Sequence, residues 1–566
     1  MEADVLDRLR VALATGGELD LSGDSPRDAV EGLGWGDDRA VSAEMVRSVL
    51  LERHAPSDPR GLSLAGARIT GSLDLSGAEL TVPLRFEDCY FDEAPQMASI
   101  KCRDLMFPGS VAPGLNLALA RIRGLLRLDS GFRSLATVVV SGAHIDDGLV
   151  LSGAELQDPD GSALEMIGTE VGGDALLGNG FACHGRIAAT GLVVAGVTYF
   201  EDAELSSPDG DALILDRSSL RQMVILSGAH SSGRIKIDGA TIGGQLVCRG
   251  TEITDCSDAA GLALQGTQVG DSVYLDEGFT CESGVNAGHV RIEGTLAVKG
   301  LAGDLNLQSS TIQDAFIDLR SCTVLDLMHA SIGTLEAHRE PVIALAGLEL
   351  PIGDDLPPEV VRVGFVRAAT QTAFRTGAWP YAELRAIGWR LQDVHGEIAT
   401  ERTLAASWLD TYSEGYAPQP WHELASVYER NGHPHDARWL RWQAARRTTK
   451  AMPLPSRPIR WLYGAFVGYG YYPLLAVLWL LLAVLLAGAL LAIVQGCAPE
   501  IGETLGLANP WLVAVQVVVP SAVGLGQDSW KEAPPWLAWP LIALGTFGWI
   551  QTALLLAGVT GLLRKS

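Results

Sequence analysis

The sequence predicts a β-solenoid with an N-terminal helical cap, a C-terminal helical linker domain and two transmembrane helices. Three observations predict it: an 11-residue register recurring through roughly residues 60–335, an uneven charge distribution, and two long uncharged runs near the C-terminus. A chain of 566 residues exceeds one compact core, so several structural units follow. With 48% hydrophobic and 19% charged residues, a wholly disordered chain is excluded. Residues 1–357 carry 53 acidic and 25 basic side chains, and residues 358–566 carry 14 and 17. An acidic body therefore precedes a mildly basic base. Such acidity disfavours direct nucleic-acid binding, which draws its affinity from Lys and Arg on phosphates.

The register reads apolar-x-apolar-x-x-small-x-apolar. It begins at Leu62 (LSLAGARITGS, LDLSGAELTVP, LRFEDCYFDEA), returns at Val138, and holds four times from Leu213. A 49-residue period overlies it, linking SGF at 130–132 to NGF at 179–181 and, two periods further, EGF at 277–279. Two coils make one long repeat. Alternation such as Leu73, Leu75 and Ile235, Ile237 points one side of a short strand inward, and the Gly after it turns the corner. Small residues at one phase (Ala67, Ala78, Ala143, Ala154, Ala229, Ala240) mark inward positions with little room. The outward positions are expected to be rich in Asp, Glu, Ser and Thr. A coil cannot bury its own apolar face, so the coils must stack, placing a β-solenoid over residues 59–345. Dense Gly and β-branched residues argue against a series of helices.

The small-x-apolar triplets Ala67-Arg68-Ile69, Ala78-Glu79-Leu80 and Ala154-Glu155-Leu156 resemble the Ala-(Asp/Asn)-Leu-x-x signature of the pentapeptide-repeat and related right-handed parallel β-helix proteins. The spacing of 11, in place of strings of five, departs from the square coil of that family. The resemblance implies a fold and little about function.

Residues 1–58 read as a cap, with amphipathic helices at Ala3–Ala14 and Ser42–His54 and Ser42 as the second helix's N-cap. Residues 358–452 read as helices broken near Gly377–Pro380, Gly415–Pro420 and Asn431–Pro434. Trp421–Arg430 and Pro434–Lys450 pair as a hairpin, and the six tryptophans between 379 and 442 are read as packing. His422, His433, His435 and Asp436 do not match a zinc spacing, and the eight cysteines show no CxxC pair and read as reduced core thiols. No nucleotide, flavin or hydrolase motif stands out, so no cofactor is expected.

Residues 461–497 carry no charge, and Pro473–Val494 is long enough to span a bilayer; 536–563 contain the second span. Arg438, Arg441, Arg446, Arg447, Lys450, Arg457 and Arg460 precede the first span, and Arg564 and Lys565 follow the second. The positive-inside rule then puts both flanks, and the acidic body, in the cytoplasm, with anionic lipid held at the basic stretch. The acidic loop 498–535 lies outside. Within it, a short apolar segment at Pro510–Val519 leads to Val523-Gly524-Leu525-Gly526-Gln527-Asp528, an order similar to the pore helix and Val-Gly-Tyr-Gly filter of two-helix cation channels. Pro520, Ala522 and Gln527 depart from that pattern, and a closed lid is the other reading. A pore would require oligomerisation.

Leu525-Gly526-Gln527, Trp530 and Gly548-Trp549 in this setting resemble bacterial membrane-anchored β-helix proteins often labelled membrane-associated oxidoreductases. The resemblance implies that label, which no redox motif in the sequence supports. The expected function is a non-catalytic scaffold at the inner membrane, presenting an acidic cytoplasmic surface to a protein partner, with a gated pore as the alternative.

Overall fold

An 11-residue register can wind into a rod in more than one way, and the computed structural model shows which one operates. It describes the chain except residues 1, 24–25, 53–57, 257–258, 302, 319–321, 339–382, 412–414, 505–508, 520–533 and 560–566. The chain divides into two units, residues 1–413 and 414–566. The first is a parallel β-solenoid of about 12 turns. Leu213 pairs with Ile235 in one sheet, whereas Val224 pairs with Leu246 in the other. Eleven residues are thus half a turn. Glu155, Ala182 and Glu204 stack on successive rungs, so the 49-residue period is two turns.

Each half-turn closes at a corner. Gly142 has φ 67° and donates its N–H to the Ile167 carbonyl of the next rung at 2.9 Å, a conformation that glycine adopts without strain. The residue after it, Ala143, is 1% exposed, as are its counterparts Ala154, Ala229 and Ala240 to within a percent. At Ser130-Gly131-Phe132, Asn179-Gly180-Phe181 and Glu277-Gly278-Phe279 the corner gains a residue and sends a fully buried Phe inward. The inward Ser110 has its hydroxyl satisfied: Ser110 Oγ donates to the Phe86 carbonyl at 2.9 Å and accepts the Cys89 N–H at 3.0 Å.

Both ends of the rod are covered. Two strands inside the expected cap, Glu18–Asp20 and Ala40–Ser42, already pair with Ser63–Ala65 and Arg68–Thr70. Helix α1 (Glu2–Thr15) buries Val5, Leu9 and Leu13, and α2 (Ala43–Leu50) buries Val46 and Val49. Ser42 precedes α2 but its side chain makes no capping bond. At the far end the solenoid continues beyond its expected limit: Glu383–Arg385 pair with Val324–Asp326, and Arg390 with Ser331. This rung lies in the stretch read as helical from 358 onward. The 44 residues 339–382, which lie outside the described residues, separate it from its neighbour, and Trp389 stands where the rung below has Ala330. The small-residue mark is therefore missing from the sequence. Trp389 meets Trp408 edge-on at 6.0 Å, and α3 (Glu397–Thr400) and α4 (Arg402–Leu409) bury Ile398, Leu404 and Trp408. A large apolar side chain at this rung fills a place where, among the described residues, no further coil stacks.

The second unit is helical. Helices α5 (Gln419–Arg430) and α6 (Pro434–Ala451) form a hairpin around Trp421, Leu424, Tyr428, Leu440 and Ala444. The uncharged run 461–497 holds two helices, α7 (Arg457–Val467) and α8 (Leu474–Cys497), because Gly468 turns left-handed (φ 57°) and Pro473 follows. After α9 (Pro499–Thr504) and α10 (Pro510–Val518) comes α11 (Pro535–Val559). Helices α8 and α11 are long and apolar enough to cross a membrane.

Burial raises the thiols of Cys89, Cys102, Cys183 and Cys322 to about 12 and Cys281 to about 11. An aqueous thiol reagent at pH 8 should label at most Cys256 and Cys497 in the folded protein, and all eight cysteines after unfolding. Mass spectrometry of labelled peptides checks this; early labelling of Cys89 or Cys183 would contradict the stacked core.

Candidate functional site

Each turn has four strand segments, so the solenoid offers four outward columns. Two carry mainly polar and charged residues, and the second-strand column of the second sheet is mixed, with Glu165, Lys236 and Asn286 among Val139, Ala188, Ile214 and Ala263. Arg133 meets Glu155 at 3.2 Å, His230 meets Glu252 at 3.1 Å, and Lys236 meets Asp216 at 2.7 Å. Asn306 Nδ2 donates to Asn286 Oδ1 at 3.1 Å. The Lys236 ammonium is held above its usual range, chiefly by its hydrogen bond to Asp216, while burial pushes Asp238 up. These partly exposed pairs order the surface more than they stabilise it.

The fourth column overturns the expectation of polar outward residues throughout. On the second strand of each turn in the first sheet, Val150, Leu176, Tyr199, Ile225, Val247 and Tyr274 stack in register. All six face outward and are half-buried. Continuous apolar triplets such as Leu149-Val150-Leu151 and Val273-Tyr274-Leu275 carried that signal in the sequence. Further along, a hollow of about 370 Å³ is lined by Thr295, Ala297, Lys299, Asp314, Ala315, Phe316 and Thr334, with the Lys299 ammonium 5.2 Å from the Phe316 ring centre.

The basic residues expected to hold lipid separate into two groups. Arg441 pairs with Glu429 at 2.6 Å, and Arg447 lies 4.3 Å from the Trp421 ring centre and donates to Gln443 Oε1 at 2.7 Å. These two brace the α5–α6 hairpin. Arg446, Lys450 and Arg457 are exposed, and Arg438 and Arg460 are half-exposed. Helix α7 adjoins them and exposes Ile459 (76%) and Trp461 (63%). His422 is lowered by burial and by Arg441. Among the described residues no three His, Cys, Asp or Glu side chains converge on a metal position.

The segments Val523-Gly524-Leu525-Gly526-Gln527-Asp528 lie outside the described residues. The helix leading to them is described. Helix α10 has nine residues, about 13 Å at 1.5 Å each, too short to span. Its Ala514 and Val518 share a core with Ala483, Ala487 and Leu491 of α8 and Leu537 and Leu541 of α11. Glycines permit the close approach: a Cβ on Gly548 would fall 1.9 Å from the Val518 carbonyl oxygen, and one on Gly488 2.3 Å from the Trp511 ring. One turn past Gly548, Gln551 is fully buried, and neither amide atom has a hydrogen-bond partner among the described residues. Sequence reasoning passed over Gln551, which sits alone in an uncharged run.

These features define a parallel β-solenoid joined to a helical unit with two candidate membrane spans. No protein family, curated protein or solved structure matches the chain.

Replacing an unpartnered buried amide by an apolar side chain removes a desolvation penalty. Gln551→Leu should therefore stabilise the detergent-solubilised protein by roughly 1–3 kcal/mol, read as a raised midpoint in thermal unfolding. A lowered midpoint would mean that the amide holds a partner.

Proposed function

We propose that the chain is a membrane-anchored, non-catalytic scaffold whose solenoid displays rigid, ordered faces to a protein partner. The observation that carries this reading is the in-register stacking of outward side chains over successive rungs, which fixes surface groups at a constant repeat. Acidity supports a basic partner through electrostatic steering and disfavours nucleic acid. The apolar α8 and α11 supply the anchor. The basic flank at Arg438–Arg460 and the residues after α11 support a cytoplasmic solenoid at the inner membrane by the positive-inside rule.

Arg446, Lys450 and Arg457 supply anionic-lipid contacts, about 1 kcal/mol each near the surface, with Trp461 of α7 at the headgroup level. Changing all three to Gln should reduce anionic lipid co-purifying with the protein several-fold, measured by lipid extraction and mass spectrometry. Unchanged lipid content would refute this assignment.

A second reading, a pore gated by the solenoid, is favoured by one observation: the half-length α10 packed between α8 and α11, with residues 523–528 following it. Ion flux through reconstituted vesicles decides between the readings. The scaffold predicts flux no greater than in empty vesicles. The pore predicts flux that Gly524→Ala with Gly526→Ala abolishes.

A further inference from the structure

We infer that the apolar column of the solenoid is a self-association face, on which two copies of this chain pack sheet against sheet. This stands apart from the display reading, which concerns the charged faces. The inference begins with the strand pattern. A strand facing solvent on one side alternates apolar and polar residues, whereas one covered on both sides reads as a continuous apolar run. The corresponding column of the second sheet is mixed: Ile235-Lys236-Ile237 and Leu305-Asn306-Leu307 obey the first rule, while Val138-Val139-Val140 and Leu213-Ile214-Leu215 do not. The column through Val150 and Tyr274 obeys the second, rung after rung, yet within one chain nothing among the described residues stacks on it as a second layer.

Charge points to a copy of this chain as the occupant. The acidic faces select basic partners, but this strip is neutral: Arg127, one rung before Val150, pairs with Asp129 at 2.5 Å, Arg249 beside Val247 lies 3.2 Å from Asp276 and 4.7 Å from the Tyr274 ring centre, and Lys299 and Asp314, one of each sign, flank Phe316. Charge is thus kept off one face of a chain whose formal net charge is −25. Geometry points the same way. Rungs repeat at about 4.8 Å, and a flat apolar sheet with that repeat is matched by another such sheet lying about 10 Å away. Ala297 stacks on Tyr274 and Phe316 on Ala297, so the strip from Val150 to Phe316 covers seven rung steps, about 34 Å. At about 15 Å wide, it would bury ~500 Å² per copy and ~1,000 Å² in all, where specific interfaces begin.

The test uses the full chain in detergent. On a Cys256→Ser, Cys497→Ala background, Ile225→Cys places a thiol in the middle of the strip, and Ser219→Cys places one on the polar column of the same sheet. Mild oxidation should yield at least tenfold more cross-linked dimer from Ile225→Cys. Wild-type protein should sediment as a dimer at micromolar concentration, and Tyr199→Glu with Ile225→Glu should make it monomeric with an unchanged circular dichroism spectrum. A monomeric wild type, equal cross-linking at the two positions, or a dimer that survives the double substitution would each overturn the inference; the last would place the contact elsewhere. Binding of a monomer to vesicles through this strip would likewise overturn it in favour of a lipid surface.

Discussion

Parallel stacking in strict register is the constraint on which the rest of this chain depends. Because corner N–H groups donate to neighbouring rungs, as Gly142 does to Ile167 and His144 to Ala120, a turn that slipped would orphan polar groups on both sides. A one-residue slip would also exchange inward Leu149 and Leu151 with outward Val150, and at charged rungs it would drive side chains such as Glu155 into the core. Register therefore selects residue type at every inward position, as at Leu149, Leu151, Ala154 and Leu156. It also explains which insertions are tolerated: the extra glycine at Ser130-Gly131-Phe132 lengthens a corner while leaving the strands on either side paired.

The same constraint makes outward chemistry columnar. Stacked side chains stand about 4.8 Å apart, where two like charges repel by about 1–3 kcal/mol at effective dielectrics of 80 to 20. Alternation relieves this, and Arg133 above Glu155 or His230 above Glu252 are examples. An acidic chain can satisfy such a rule on several faces at once, while apolar columns satisfy it trivially and then require cover.

Much of this architecture was legible in the sequence, because the period, the small inward residues and the uncharged runs all arise from local spacing. The limits of legibility are equally physical. Trp389 hid the last rung, since among the described residues no further coil stacks beyond it to exclude a large side chain, and the small-residue mark disappears there. The break at Gly468 hid inside an uncharged run, because hydropathy carries no information on backbone angle; the left-handed φ of 57° divides α7 from α8 where composition is continuous. The apolar column was visible in Leu149-Val150-Leu151 but was absorbed into a general expectation of polar outward positions.

The helical unit obeys a different rule from the solenoid. Close contact between its apolar helices comes from small residues that let backbones touch. Ala483, Ala487 and Gly488 on α8 and Gly545 and Gly548 on α11 make such surfaces, and α10 occupies the space they create. The nine-residue α10 leaves its last carbonyls without intrahelical donors. Val518 presents its carbonyl to Gly548, and Gln551 lies one turn further along the same stripe with its amide buried. Among the described residues of α8, α10 and α11, the buried unpartnered amide of Gln551 thus lies near the end of the short helix, and Gly545 and Gly548 allow that end to lie against α11.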